Sequence, residues 1–124
     1  MESKRQRQVA EIVRRSFSAV LQEEGAYIYG PGPLVTVTKV QMTPDLNLAR
    51  IYLSVFNTMN KQAVLLEIAS AYPHLRKALA QRIRRQVRRI PELEFFLDDT
   101  LDEMDRVEQL LEKIRSNKTT QEEE

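Results

Sequence analysis

The chain has 124 residues with no cysteine, 42% hydrophobic and 30% charged residues, which predicts one folded domain and excludes disulfides, thiolate metal sites and a cysteine nucleophile. No apolar run is long enough for a signal peptide or a membrane span, so we expect a soluble, cytoplasmic protein. The net charge of +1 conceals a segregation, because residues 1–91 carry 15 basic and 6 acidic side chains, whereas residues 92–124 carry 4 basic and 12 acidic ones. Segregation of this kind favours a polyanionic partner for the basic part.

A first helix is predicted from about Lys4 to Gln22, because apolar residues recur there at three- and four-residue steps. The opposite side of this helix is basic and carries Lys4, Arg7, Arg14 and Arg15. Gly25 is predicted to end the helix, and the residues from there to Pro33 are predicted to form a loop.

An antiparallel hairpin is predicted next. Residues 34–42 are rich in β-branched side chains, residues 43–45 have the composition of a turn, and residues 46–56 alternate between apolar and polar. The alternation places Ile51, Leu53 and Val55 on the core side of the sheet.

The rest of the chain predicts three helices and one strand. A helix over residues 61–71 should break at Ala71-Tyr72, because Pro73 disfavours helical geometry at the residue before it, and a third helix should run from Pro73 to Arg89. A third strand is predicted over residues 93–98. A capping-box pattern over residues 100–103 then predicts an amphipathic C-terminal helix. We expect one domain over residues 1–115 and a disordered acidic tail over residues 116–124.

The third predicted helix carries the strongest functional signal. It contains seven basic and no acidic residues between positions 76 and 89, namely Arg76, Lys77, Arg82, Arg84, Arg85, Arg88 and Arg89. Helical spacing separates an apolar side, with residues such as Leu79 and Ile83, from a basic side. Arg76 falls in the apolar sector and is expected to point into the break at Tyr72.

A basic helix face has several interpretations. A merely solvated face is usually of mixed sign, because like charges three or four residues apart repel each other. The excess of arginine favours forked contacts with phosphate, so nucleic acid is the preferred partner. A membrane surface is less favoured because the apolar side is needed for the core, and docking on an acidic protein remains an alternative.

Residues for catalysis are scarce. His74 is the only histidine, so a zinc site has little to draw on, and the chain contains no phosphate-binding loop of the Walker type. We therefore expect no enzymatic activity, no metal, no cofactor and no small-molecule substrate.

The predicted order α-β-β-α-α-β, with a further C-terminal helix, is that of a type II KH-like α+β domain. Three segments (residues 35–55, 74–79 and 88–95) strongly resemble the ribosome-binding factor A family, and residues 98–111 are similar to its amphipathic C-terminal helix. The resemblance extends over residues 4–115. It implies a bacterial or organellar assembly factor that is not an enzyme, binds the immature 30S subunit and helps late processing of 16S ribosomal RNA. We expect it to act as a monomer.

The chain departs from the KH pattern at the helix break. A standard KH domain clamps the nucleic-acid backbone with a Gly-x-x-Gly loop, which is absent here. The family has an Ala-x-Gly kink instead, whereas this chain has Pro73 at the glycine position, and Tyr72 could offer a stacking surface. The predicted RNA-binding residues are Lys4, Arg7, Arg14, Arg15, Tyr72, Arg76, Lys77, Arg82, Arg84, Arg85, Arg88 and Arg89. The alternative function is a protein-interaction module whose basic helix docks on an acidic partner.

Overall fold

The computed structural model describes residues 2–98, which form three helices and a three-stranded sheet in the order α-β-β-α-α-β. The helices are α1 (Lys4–Tyr29), α2 (Lys61–Ser70) and α3 (Tyr72–Ile83), and the strands are β1 (Leu34–Met42), β2 (Leu48–Phe56) and β3 (Glu92–Leu97). The predicted α+β order is confirmed. The predicted C-terminal helix and acidic tail lie outside the described residues.

The sheet has the strand order β1-β2-β3, with β2 in the centre. β1 and β2 are antiparallel, which confirms the predicted hairpin, whereas β3 runs parallel to β2 with Phe95 opposite Ile51. Parallel neighbours need a crossover, and α2 and α3 supply it. The core side of β2 carries Ile51, Leu53 and Val55, all buried as predicted, while Arg50 on the other face is exposed.

The hydrophobic core lies between this face of the sheet and the three helices. Phe17 of α1 is fully buried, and its ring stacks on Phe95 of β3 with 5.6 Å between the ring centroids. Ile68 of α2 and Leu75 of α3 are also inaccessible to solvent. α1 and α3 thus bury an apolar side and leave a polar side free for other contacts, whereas α2 also exposes an apolar residue, Leu66.

Two sets of hydrogen bonds hold the start of α1 in place. Ser3 caps the helix in a capping box with Gln6, because the Ser3 hydroxyl accepts from the Gln6 amide at 3.1 Å and the Ser3 amide donates to the Gln6 side chain at 2.8 Å. The buried side chain of Gln6 also donates to the Met42 carbonyl at 3.1 Å. The basic first turns of α1 are therefore held against the end of β1.

The predicted end of α1 at Gly25 is wrong, and so is the loop predicted after it. The helix continues to Tyr29 and ends at Gly30, whose φ of 87° is in the left-handed region that glycine tolerates. Gly25 leaves room for the Tyr29 side chain, because a Cβ atom at Gly25 would lie 2.2 Å from the hydroxyl oxygen of Tyr29 and would displace it. Burial of this phenol raises the pKa of Tyr29.

The predicted break between α2 and α3 is confirmed at Ala71, whereas Tyr72, which was expected to lie in the break, is the first residue of α3. Its amide donates to the carbonyls of Glu67 and Ile68 at 3.2 and 3.1 Å, which closes α2, and its own carbonyl accepts from Leu75 at 2.9 Å, which opens α3. Pro73 lies in the first turn of α3, where a missing N–H leaves no hydrogen bond unmade. The proline therefore preserves the kink.

The predicted third helix is too long, because α3 ends at Ile83 rather than at Arg89. The amides of Gln86 and Val87 both donate to the Ile83 carbonyl, at 2.8 and 3.1 Å, and so turn the chain. Six more helical residues would carry it about 9 Å further along the axis, whereas β3 has to begin where the Glu92 amide donates to the Asn47 carbonyl at 2.8 Å. Repulsion between closely spaced arginines also disfavours continuation. Residues 84–91, here called the arginine segment, consequently connect α3 to β3 through turns and bends.

Candidate nucleic-acid interface

On α1, α3 and the arginine segment, seven exposed cationic side chains have no hydrogen-bond or ion-pair partner among residues 2–98. These unpaired cations are Lys4, Arg5 and Arg7 on α1, Lys77 on α3, and Arg84, Arg85 and Arg88 on the arginine segment. Their charge is not neutralised within the described part of the chain, so they are available to an anionic partner.

Two of the predicted arginines on α1 are paired. Arg14 makes a bidentate contact with Glu11, in which its Nε donates at 2.9 Å, and Arg15 lies 3.6 Å from the same carboxylate. The hydrogen bond from Arg14 holds the pKa of Glu11 below its usual value. Arg14 and Arg15 therefore present one net positive charge instead of two.

Arg82 links α3 to α1. Its guanidinium forms an ion pair with Glu23, and a second contact between the same helices joins His74 to Glu24 at 3.0 Å. Arg82 also lines a groove together with Arg15. The structure thus places Arg82 beside the basic side of α1, although an internal carboxylate already neutralises it.

Arg76 lies apart from the other cations, as the apolar spacing of α3 predicted. Its guanidinium is directed at the chain just before β3: Nε donates to the Pro91 carbonyl at 3.1 Å and a terminal nitrogen donates to the Ile90 carbonyl at 2.9 Å. Glu92 lies 3.6 Å away. Arg76 therefore clamps the start of β3, and its donors are directed inward.

Tyr72 is committed to the same junction. Its hydroxyl donates to the Glu92 carboxylate and accepts from the Leu93 amide at 3.0 Å, while its ring packs edge-on against Phe95. Partial burial, together with the bond to Glu92, raises the pKa of Tyr72. In this arrangement the ring supports β3, and the geometry does not favour the base-stacking surface expected from the sequence.

The early end of α3 brings cations together that are far apart in sequence. Arg88 and Arg89 line a cleft with Arg5 of α1, and the Arg89 guanidinium donates to the Asn47 side chain at 3.0 Å. Arg5 was missed by the sequence reasoning because helical spacing places it about 100° from Lys4. No local signal identifies it, since its neighbours come from the β1–β2 turn and from the arginine segment.

This arrangement suits recognition of phosphate better than catalysis. Guanidinium groups offer forked donors to phosphate oxygens, and the cations are spread over α1, α3 and the arginine segment, which suits a partner with several phosphates. Within residues 2–98 no three acidic or histidine side chains are grouped so as to hold a metal ion. In the same residues, no helix is both long and apolar enough to cross a bilayer.

The fold and this surface define the chain as a KH-like α+β domain with an unpaired basic surface. Comparison with known proteins agrees: the family model described as ribosome-binding factor A matches residues 5–111. The chain is 40% identical over 114 residues to ribosome-binding factor A of Cytophaga hutchinsonii (92% of this chain, 85% of that protein) and 42% identical over 108 residues to that of Chlorobaculum tepidum (86% and 88%). The chain belongs to the ribosome-binding factor A family.

Solved structures show the same fold. The crystal structure of ribosome-binding factor A from Thermus thermophilus superposes with a TM-score of 0.62 at 24% identity, covering 74% of this chain and 94% of that one. A second Thermus thermophilus structure has a TM-score of 0.58 at 27% identity and covers 79% and 96%. It is a homology model of the factor fitted into a cryo-EM map of its complex with the 30S subunit.

Proposed function

We propose that this chain is a non-enzymatic assembly factor that binds the small ribosomal subunit through 16S ribosomal RNA and assists its late maturation in the cytoplasm. Membership of the ribosome-binding factor A family supports the ribosomal partner, as does the Thermus protein fitted into a 30S complex. The observation that carries the proposal is the set of seven unpaired cations on α1, α3 and the arginine segment.

The mode of binding follows from the types of side chain in this set. Five of the seven unpaired cations are arginines, which bind phosphate with paired N–H donors. They project from elements fixed by the core, the capping box and the Arg76 clamp, so little backbone ordering is needed when RNA binds. Because a Gly-x-x-Gly loop is absent, phosphate contacts depend on side chains rather than on a backbone clamp.

Binding of this kind depends strongly on salt. If about five phosphates are neutralised, the logarithm of the affinity should fall against the logarithm of the salt concentration with a slope of about −3.5 to −4.5. Removal of two phosphate contacts should flatten that slope by about 1.4 to 1.8. A passive solvated surface would show no such change.

The test is co-sedimentation of the full chain with purified 30S subunits over a series of salt concentrations. The double variant Arg84→Glu/Arg85→Glu should lose binding, since both side chains are exposed and unpaired. The matched control is Lys39→Glu/Arg50→Glu, which changes the charge equally at exposed positions of the sheet. If the arginine variant bound 30S subunits as well as the parent while the control variant lost binding, the binding surface would lie on the sheet rather than on the arginine segment.

The alternative of an acidic protein partner predicts a different result. Gradient sedimentation of a lysate, with and without RNase, separates the two functions. Recovery of the chain in a small complex that survives RNase would support the protein-interaction module and contradict the ribosomal proposal.

A further inference from the structure

A cleft lies beside the first turns of α1. This cleft has a volume of about 490 Å³. Its walls come from three separate places: Arg5 on α1, the β1–β2 turn at Asp45 and Asn47, and Arg88 and Arg89 of the arginine segment. The volume lies within the usual range for pockets that hold a small organic group.

The rim of the cleft is cationic. Arg5 and Arg88 have no polar partner among residues 2–98, so both guanidinium groups can turn toward a phosphate. Arg89 is held in place by the Asn47 side chain. Three positive charges against the one carboxylate of Asp45 make the cleft attractive to an anion.

The Asp45 carboxylate is fixed and oriented by its neighbours. One oxygen accepts from the Thr43 hydroxyl at 2.7 Å and from the Asn47 amide at 3.0 Å, and the other accepts from the Asn47 side chain at 3.1 Å. The hydrogen bond from Thr43, followed by those from Asn47, lowers the pKa of Asp45, so the group is ionised at neutral pH. The second oxygen still has a lone pair free to accept a proton donor.

The floor of the cleft is apolar. Leu46 is half-buried and Val87 keeps 9% of its surface exposed, so both offer some hydrocarbon surface to the cleft, whereas Val9, at 2%, lies behind them in the core. A planar group lying on them would be removed from water on one side. The cleft therefore combines a cationic rim, an apolar floor and an oriented acceptor, which are the features that hold an unstacked nucleotide.

We propose that this cleft binds one unpaired nucleotide of RNA, with its phosphate between Arg5 and Arg88 and its base on Leu46 and Val87. The Asp45 carboxylate then accepts from an amino group on the base edge, so cytosine, which has an amino group at position 4, is preferred over uracil, which has an acceptor there. The inference rests on the proposed function and adds to it the recognition of single-stranded RNA and of a base type.

The test compares two probes of equal charge, fluorescein-labelled octamers of cytidine and of uridine, by fluorescence anisotropy at pH 7.5 with the full chain. The parent should bind the cytidine octamer on the order of tenfold more tightly. Asp45→Asn keeps the acceptor for Thr43 and the Asn47 amide but replaces the other carboxylate oxygen with a donor. It should bring the affinity ratio close to one without unfolding the domain, which circular dichroism would verify.

Two arginine variants of equal charge change provide the matched control. Arg5→Ala/Arg88→Ala should weaken both octamers and also lower the affinity ratio, because the phosphate no longer positions the base. Arg84→Ala/Arg85→Ala lies outside the cleft and should weaken both octamers while leaving the ratio unchanged. Equal effects of the two variants on the ratio would overturn the cleft assignment.

The failure of this inference is distinguishable from the failure of the proposed function. A ratio near one in the parent, or a ratio unaffected by Asp45→Asn, overturns the nucleotide site. Failure to bind either octamer, while the chain still co-sediments with 30S subunits, overturns it as well but leaves the proposed function standing. Loss of both activities in the parent overturns both proposals.

Discussion

Arg76 offers a direct test of whether a basic residue in this chain serves the fold or the RNA. Replacement by alanine removes two charged donors from the carbonyls of Ile90 and Pro91, which lie 2.9 and 3.1 Å from the guanidinium. Hydrogen bonds from a charged group contribute about 1.5–3 kcal/mol each. The Arg76 side chain is 34% exposed, so water can replace part of the lost hydrogen-bond energy. The ion pair with Glu92, at 3.6 Å on the surface, adds little to the stability. We expect the free energy of unfolding to fall by about 2 kcal/mol.

Urea denaturation followed by circular dichroism measures this change. A loss of about 2 kcal/mol should lower the melting temperature by roughly 6–12 °C for a domain of this size. Arg76→Lys should recover little of the stability, because one ammonium group lacks the planar fork that reaches both carbonyls. Under conditions where the variant is folded, its affinity for 30S subunits should stay close to that of the parent.

Lys77 is the matched control, because it is the next residue, carries the same charge and is exposed without a partner among residues 2–98. Lys77→Ala should leave the unfolding midpoint unchanged and weaken RNA binding with a flatter salt dependence. An ordinary surface substitution changes stability by up to about 0.5 kcal/mol. If Arg76→Ala changed stability by less than this and weakened RNA binding as much as Lys77→Ala, the structural role of Arg76 would be refuted.

Two further predictions concern α1. Glu11→Gln should release Arg14 and Arg15 from their shared carboxylate. The affinity for 30S subunits, measured by co-sedimentation, should then rise, and its salt dependence should become steeper. An unchanged salt dependence would argue against a role for these two arginines in binding. Gly25→Ala should be neutral or destabilising in the parent, since the new Cβ displaces the Tyr29 phenol. In a Tyr29→Ala background, Gly25→Ala should stabilise the protein by about 0.5–1 kcal/mol, as alanine normally does within a helix. If thermal unfolding showed that Gly25→Ala stabilises the protein in both backgrounds, the packing explanation would be contradicted.

The fold could be predicted from the sequence where local patterns decide it. Alternation along β2 predicted the correct buried side, and Pro73 predicted the helix break to within one residue, because both depend on backbone preferences of neighbouring residues. Two helix ends were wrong. Gly25 lies inside α1, where it leaves room for the Tyr29 side chain one turn later, and the helix ends at Gly30 instead. The end of α3 at Ile83 depends on a distant contact, because β3 has to start beside the β1–β2 turn.

The candidate site was predictable as a charge distribution but not as a geometry. Sequence spacing correctly set Arg76 apart and identified the arginine-rich stretch, yet it placed Arg84 and Arg88 on one continuous helix with Lys77. It could not show which cations are already neutralised, because partners such as Glu23 for Arg82 are 59 positions away. Arg5 enters the site only through the folding of the chain.

The junction between α2 and α3 has a consequence for how tightly this protein can hold a ligand there. The amide of Ala71 is already shared by two carbonyls, and Pro73 has no N–H to donate. A phosphate approaching the kink thus meets few open backbone donors. Proline also narrows the conformations of the unfolded chain at this point, which lowers the entropy lost when the kink folds. If the chain binds RNA as proposed, its release depends on competition by salt ions at the arginines rather than on loosening of a loop at the kink.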